Sequence, residues 1–338
     1  MIILVENPIS KHRDATLDII KGIAMIMVIM SHTLPAYAAR SFAPFWSALF
    51  FVVSGYFAKN IGVLDYIKKG TMRLIIPYVT SCVIMVPLVF IGILVSDLNI
   101  WPKVIKSMAL GSSSFVGDMA DINIGPLWFI CALFIVRGLW SLMCKIKNDV
   151  VKGVLILILA IIAWQAKSYV TLPWSILSAF GAMGFYYAGY LVKKYNLFEP
   201  VYAKKIIPII LPALFYCSTL GFTDINKCVY GGWYIIDIAG GIGAFFLLYA
   251  IIKHFSDISQ RFWKFLNFVG RYSLAFFCFH AIDQCLNIHW FPFKFWWLFS
   301  TKLELVCALV LRVGIVAVGA YLVSKNKFLK EKIFFIKD

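Results

Sequence analysis

The chain holds 338 residues, 62% of them hydrophobic and 14% charged, with a mean hydropathy of +0.86. Soluble domains run nearer ~45–50% apolar and ~25% charged, so this composition excludes an ordinary soluble protein and describes an integral membrane one. The net charge of +16 reads as Lys and Arg gathered in loops on one side of a bilayer rather than as a nucleic-acid surface.

The first apolar span, Leu17 to Tyr37, is long enough to cross a bilayer yet carries Asp18, Lys21 and His32. Ionisable groups inside a membrane helix are costly and face protein or a water-filled cavity. Lys21 and His32 are eleven positions apart, about 20° past three full turns and ~16 Å along the axis. Asp18 falls within about 40° of the same face. One side of this helix is therefore a polar stripe. Lys11 and Arg13 ahead of it, with Ala36-Tyr37-Ala38 after it, imitate a signal peptide and its small-residue cleavage site. Because Asp18 and Lys21 interrupt the run and many spans follow, it is expected to be retained as the first transmembrane helix.

Apolar segments of spanning length then recur. They fall near 15–37, 43–58, 74–96, 124–143, 152–166, 174–192, 206–222, 232–252, 272–289 and 303–324. The expected fold class is all-α and polytopic, about ten transmembrane helices in a single membrane domain over 1–338, with no separate soluble domain. Lys59, Lys68, Lys69 and Arg73 follow the second span, and Lys193, Lys194, Lys204 and Lys205 follow the sixth. The alternate loops are poorer in cations, a bias that predicts both termini inside. The largest outer loop, 97–123, carries Asp97, Asp118, Asp121 and a turn from Gly111 to Ser114, and reads as a solvated connector.

His32 is the foremost candidate for chemistry, since an imidazole titrates near neutrality and can take a proton from a hydroxyl and return it. Asp18 and Lys21, one turn apart, either neutralise each other or present Lys21 to an anionic ligand or the interface. The stretch Lys59 to Arg73 reads as positive-inside charge before a helix, or as a phosphate clamp at the mouth of a cavity. Ser54-Gly55-Tyr56, Gly125-Pro126-Leu127-Trp128 and Gly270-Arg271-Tyr272-Ser273 each have a packing explanation. The last introduces a span with His280 and Asp283, and Asp237 is a further intramembrane carboxylate. The eight cysteines show no CxxC or Cys/His spacing, so they read as small core residues and no metal site is expected.

Taken in order, these segments resemble the membrane acyltransferase 3 family, in particular its fucose 4-O-acetylase-like, sugar-modifying branch. The family opens on a basic residue, ten residues and a histidine, which Lys21 and His32 match after Arg13, Leu17 and Asp18. Leu49 to Phe57 looks like the family's LFFFLSGYF, while Arg73 to Tyr78, Gly125 to Ile130 and Gly270 to His280 occupy the remaining expected places. Two positions depart from the pattern. Trp46 stands where a histidine is common, and Gly70 replaces the first arginine of an RxxR motif that ends at Arg73, with Lys68 and Lys69 nearby.

The resemblance implies a membrane-bound O-acyltransferase moving an acyl group, typically acetyl, from cytoplasmic acyl-CoA to a hydroxyl of a surface polysaccharide or lipid-linked glycan. It implies a catalytic set of His32, Lys21 and Asp18, with acetyl-CoA as donor held by Arg73, Lys69 and Lys68. Trp128, His280, Ser54 and Tyr56 are the positions it suggests for the acceptor. Expected partners are acyl-CoA, a glycan or undecaprenyl-linked oligosaccharide, membrane lipids and polysaccharide assembly proteins, with no nucleic acid, in the bacterial cytoplasmic membrane. The competing readings are a glycan transporter or flippase with an Asp18-Lys21-His32 relay, and a scaffolding subunit in which His32 is dispensable.

Overall fold

Apolar runs in this chain fold as helices because a helix satisfies its own backbone hydrogen bonds where no water can. The computed structural model describes residues 15–33, 45–95, 101–113, 116, 124–219, 223–231, 233–255, 260–289 and 302–336. In chain order these form α1 (Ala15–Ser31), α2 (Trp46–Tyr56), α3 (Val63–Gly70), a π-helical turn (Thr71–Ile75) and α4 (Ile76–Val95). Then come α5 (Trp101–Leu110), a 3-10 turn (Gly125–Leu127), α6 (Trp128–Met143), α7 (Asp149–Ala166) and α8 (Ile176–Lys194). The chain continues through α9 (Pro200–Thr219), α10 (Tyr234–Phe255), α11 (Gln260–Arg271), α12 (Ser273–His289) and α13 (Lys302–Lys325). The described residues include no β-strand beyond one isolated bridge, Asp224 with Val229.

Among the described residues, seven helices are long and apolar enough to cross a membrane, or eight if α11 and α12, bent by 79°, form one span. The chain is therefore a multi-pass membrane protein. The other two expected spans are helical, but α1 has 17 described residues and α2 has 11, below the ~20 that a ~30 Å core requires. Large apolar side chains on α4, α7 and α13, such as Val83, Phe90, Ile158, Ile161, Val310 and Val318, are exposed. Such a surface suits lipid, not water.

Three stretches read as connectors are more ordered than that. Lys68 and Lys69 stand on helix α3, Lys103 and Lys106 on α5, and Arg261 and Lys264 on α11. The carboxylates Asp97, Asp118 and Asp121 lie outside the described residues, as does Arg13.

α1 sits at the centre. Leu17, Ile19, Ile20, Ala24, Met25, Val28 and Ile29 are all buried, the pattern of a helix enclosed by its neighbours. Its closest crossing is with α11. A Cβ on Gly22 would run into the Leu266 carbonyl, and one on Gly270 into the Asp18 carbonyl. Two glycines thus bring two backbones together, the device by which membrane helices gain packing energy without a hydrophobic drive. The α2–α8 crossing repeats it, with Gly55 against the Tyr186 carbonyl and Gly189 against that of Val52.

Candidate functional site

The end of α1 carries the site. His32 follows the last residue of the helix and its side chain is exposed, while His280 of α12 lies behind it, fully buried, with ring centroids 5.4 Å apart. His32 Nδ1 is 3.2 Å from Gln284 Nε2, one turn beyond His280 on α12. Gln284 in turn lies over Gly125, which has φ +58° and no room for a Cβ beside the amide oxygen. The glycine of Gly125-Pro126-Leu127-Trp128 is thereby explained, because only glycine adopts that backbone cheaply and admits the amide.

Asp283 and Arg312 complete the cluster. Arg312, on α13 and 3% exposed, donates from Nε and Nη2 to Asp283 Oδ2 at 2.8 and 2.6 Å. Its Nη1 donates to the His32 carbonyl at 2.8 Å and to Thr33 Oγ1 at 3.1 Å. One guanidinium therefore ties α12 to the end of α1 and neutralises the carboxylate as it does so. His280 Nδ1 is 3.6 Å from Asp283 Oδ2, beyond direct hydrogen-bond range.

The geometry leaves one nitrogen of His32 for chemistry. With Nδ1 turned to Gln284, Nε2 is the nitrogen open to a reacting hydroxyl. As placed, the Gln284 amide nitrogen donates to Nδ1, which leaves the proton on Nε2. Turning the amide so that Nδ1–H donates to its oxygen moves the lone pair to Nε2, so the orientation of the amide selects the tautomer.

Lys21 and Asp18 are not part of this cluster. Lys21 Nζ meets Asp18 Oδ1 at 2.6 Å, near the start of α1 and ~16 Å from His32 along the helix. The stripe is thus divided between its two ends, and no single relay joins all three groups. Lys68, Lys69 and Arg73 are exposed on α3 and the π-helical turn after it. α3 docks on α6 through Tyr66, whose hydroxyl donates to the Phe134 carbonyl. Since Gly125 marks the His32 end, Phe134 lies ~14 Å towards the other end at ~1.5 Å per residue. Ser54 and Tyr56 fall in the α2–α8 crossing at that opposite end, where Lys193 Nζ is 5.1 Å from the Tyr56 ring. His280 meets His32, whereas Trp128 stands at the start of α6 with its ring edge-on to Phe129.

Five residues were not singled out as site candidates in the sequence. Gln284 and Thr33 carry no charge to draw attention, and Arg312 and Asp283 are far apart in the chain. Arg137 is the fifth. It lies on α6 with its guanidinium 6.0 Å from the Tyr66 ring centroid and beside the Tyr186 side chain. Among the described residues no carboxylate pairs with it. A cation within a spanning helix and without a carboxylate was the available signal. Among the described residues, no three His, Cys, Asp or Glu side chains are grouped as a metal site.

A family model described as an acyltransferase domain, that of the acyltransferase 3 family, matches residues 14–324. No curated protein and no solved structure matches the chain.

Proposed function

The chain belongs to the acyltransferase 3 family of membrane acyltransferases, and from that premise we propose that it acylates a hydroxyl of a cell-surface polysaccharide or lipid-linked glycan. The donor is cytoplasmic acyl-CoA and the group acetyl, the chemistry of the fucose 4-O-acetylase-like branch. Both termini lie inside, in the bacterial cytoplasmic membrane, with ten spans including α1 and α2. The observation that carries this reading is the exposed His32, held at Nδ1 by Gln284 and backed by His280 and the Arg312–Asp283 pair. Nε2 takes the acceptor proton as the hydroxyl oxygen attacks the thioester carbonyl. A C–O bond forms, the C–S bond breaks, and the proton passes on to the leaving thiolate.

Lys68, Lys69 and Arg73, at the opposite end, bind the phosphates of the donor. Arg137 lies deeper on the same side, between Tyr66 and Tyr186, and supplies a further cation along the donor's path. Lys21, neutralised by Asp18, holds the start of α1 in place rather than taking part in proton transfer.

The test is acetyl-CoA consumption and acyl transfer by the purified full chain in lipid nanodiscs. His32→Ala should lower turnover by about 10²–10⁴, the usual contribution of a general base. Cells that make only His32→Ala should lose acetyl groups from their surface glycans by mass spectrometry. Normal glycan acylation in those cells would remove His32 from the reaction.

A further inference from the structure

A further polar cavity is not used by the reaction chemistry. It lies among Ser112, Ser175, Ser178, Lys167, Asn226 and Cys228, and has room for about 10 Å³, the size of one water or one hydroxyl group. It is at the His32 end of the bundle. Ser112 precedes Ser113, whose hydroxyl donates to the Gly125 carbonyl at 3.0 Å, and Gly125 carries Gln284 and so His32.

We propose that this cavity is a subsite for the acceptor, and that it takes a hydroxyl of a neutral sugar ring. The inference rests on the glycan reading above and names where that glycan is held. The lining decides the ligand class. Ser175 donates its hydroxyl proton to the Gly111 carbonyl at 2.8 Å, and Ser178 donates to the Asn226 carbonyl at 2.8 Å. Both hydroxyls therefore keep only acceptor lone pairs for a guest. Asn226 Oδ1 is a buried acceptor with no hydrogen-bond partner. Lys167 donates one N–H to the Cys228 carbonyl at 3.0 Å and retains two. Acceptors in excess with a few donors complement a group that is both donor and acceptor. A sugar hydroxyl is such a group. A carboxylate, or a fully ionised phosphate, brings no proton to meet Asn226 Oδ1.

The backbone around the cavity supports the same reading. Trp174, Ser175 and Cys228 hold φ of +58°, +51° and +50°, a backbone conformation that is strained for a residue other than glycine. Strain of that kind persists where the surroundings hold a site in shape. The buried orphan acceptor of Asn226 adds to that cost until a partner arrives.

The experiment is equilibrium binding of methyl hexosides to the purified full chain by saturation-transfer NMR, with thermal unfolding as the check on folding. Asn226→Ala removes an acceptor that makes no internal hydrogen bond, so the fold should survive it. The expected result is saturable binding by the wild type, weakened about three- to tenfold in Asn226→Ala and again in Ser178→Ala. Inorganic phosphate should not displace the sugar. Equal affinity in the variants, displacement by phosphate, or no saturable binding by the wild type would each overturn the subsite and leave the cavity to a bound water. Failure of the glycan acyltransferase reading shows differently: the wild type binds the sugar, sensitive to Asn226→Ala, but transfers no acyl group to it.

Discussion

Replacing Arg312 separates holding the fold from positioning the base. Arg312 and Asp283 are 3% and 6% exposed, and two guanidinium nitrogens converge on one carboxylate oxygen. Arg312→Leu strands that carboxylate in the interior, which costs about 3–5 kcal/mol. It also removes the bonds to the His32 carbonyl and Thr33, worth about 0.5–1.5 kcal/mol each. The double variant Arg312→Leu with Asp283→Leu removes both charges, and replacing a buried pair by apolar residues is often neutral or stabilising. Thermal unfolding in detergent should therefore show a large drop for the single variant and recovery of most of it in the double. Turnover should not recover. The end of α1 has lost its tie to α12 and α13, and a misplacement of ~1 Å at a catalytic group costs on the order of 10²-fold. A double variant with wild-type turnover would refute the positioning role. A double variant as unstable as the single would show that the pair itself holds the fold.

Three further outcomes follow from the same geometry. Lys69→Ala with Arg73→Ala should raise the acetyl-CoA KM with little change in kcat, and Arg137→Gln should do the same; unchanged donor dependence means these cations serve topology alone. Gly270→Ala should lower the unfolding temperature and the yield of folded protein, because overpacking costs about 1–3 kcal/mol or more where a backbone carbonyl cannot move. Ser324→Ala, at a half-buried position on α13, is the comparison, expected within about 0.5 kcal/mol of wild type. A cysteine at the exposed Val116, in a chain lacking its reactive native thiols, should react with a membrane-impermeant maleimide from outside the cell, and protection there would reverse the proposed orientation.

Much of this was legible because a membrane makes some residues expensive and others indispensable. His32 stood out as an imidazole in an apolar helix, and the structure brings it to His280, which the family resemblance suggested for the acceptor. Packing, the plain explanation of Ser54-Gly55-Tyr56 and of Gly270, accounts for both helix crossings. The partners across the site were not legible. Arg312 and Asp283 each appear as a charge in its own span, and nothing in one sequence says that they share an oxygen or that Gln284 faces His32. Those pairings depend on how three helices are rotated about their axes, a property of packing that hydropathy does not encode. The amphipathic α11 falls in the interval between the expected spans 232–252 and 272–289, because 12 residues carrying Arg261, Lys264 and Arg271 make no spanning run. Leu266, Val269 and Gly270 nonetheless keep a helical spacing and are buried, packed against α1. The same cost argument that singled out His32 applies with equal force to Arg137, whose cation sits on a spanning helix beside two phenols and no carboxylate among the described residues. A guanidinium kept there without a carboxylate is stabilised when an anion reaches it. If the donor's phosphates are that anion, the cation that looked like an accident of one span and the histidine at the end of another mark the two ends of one path through the protein.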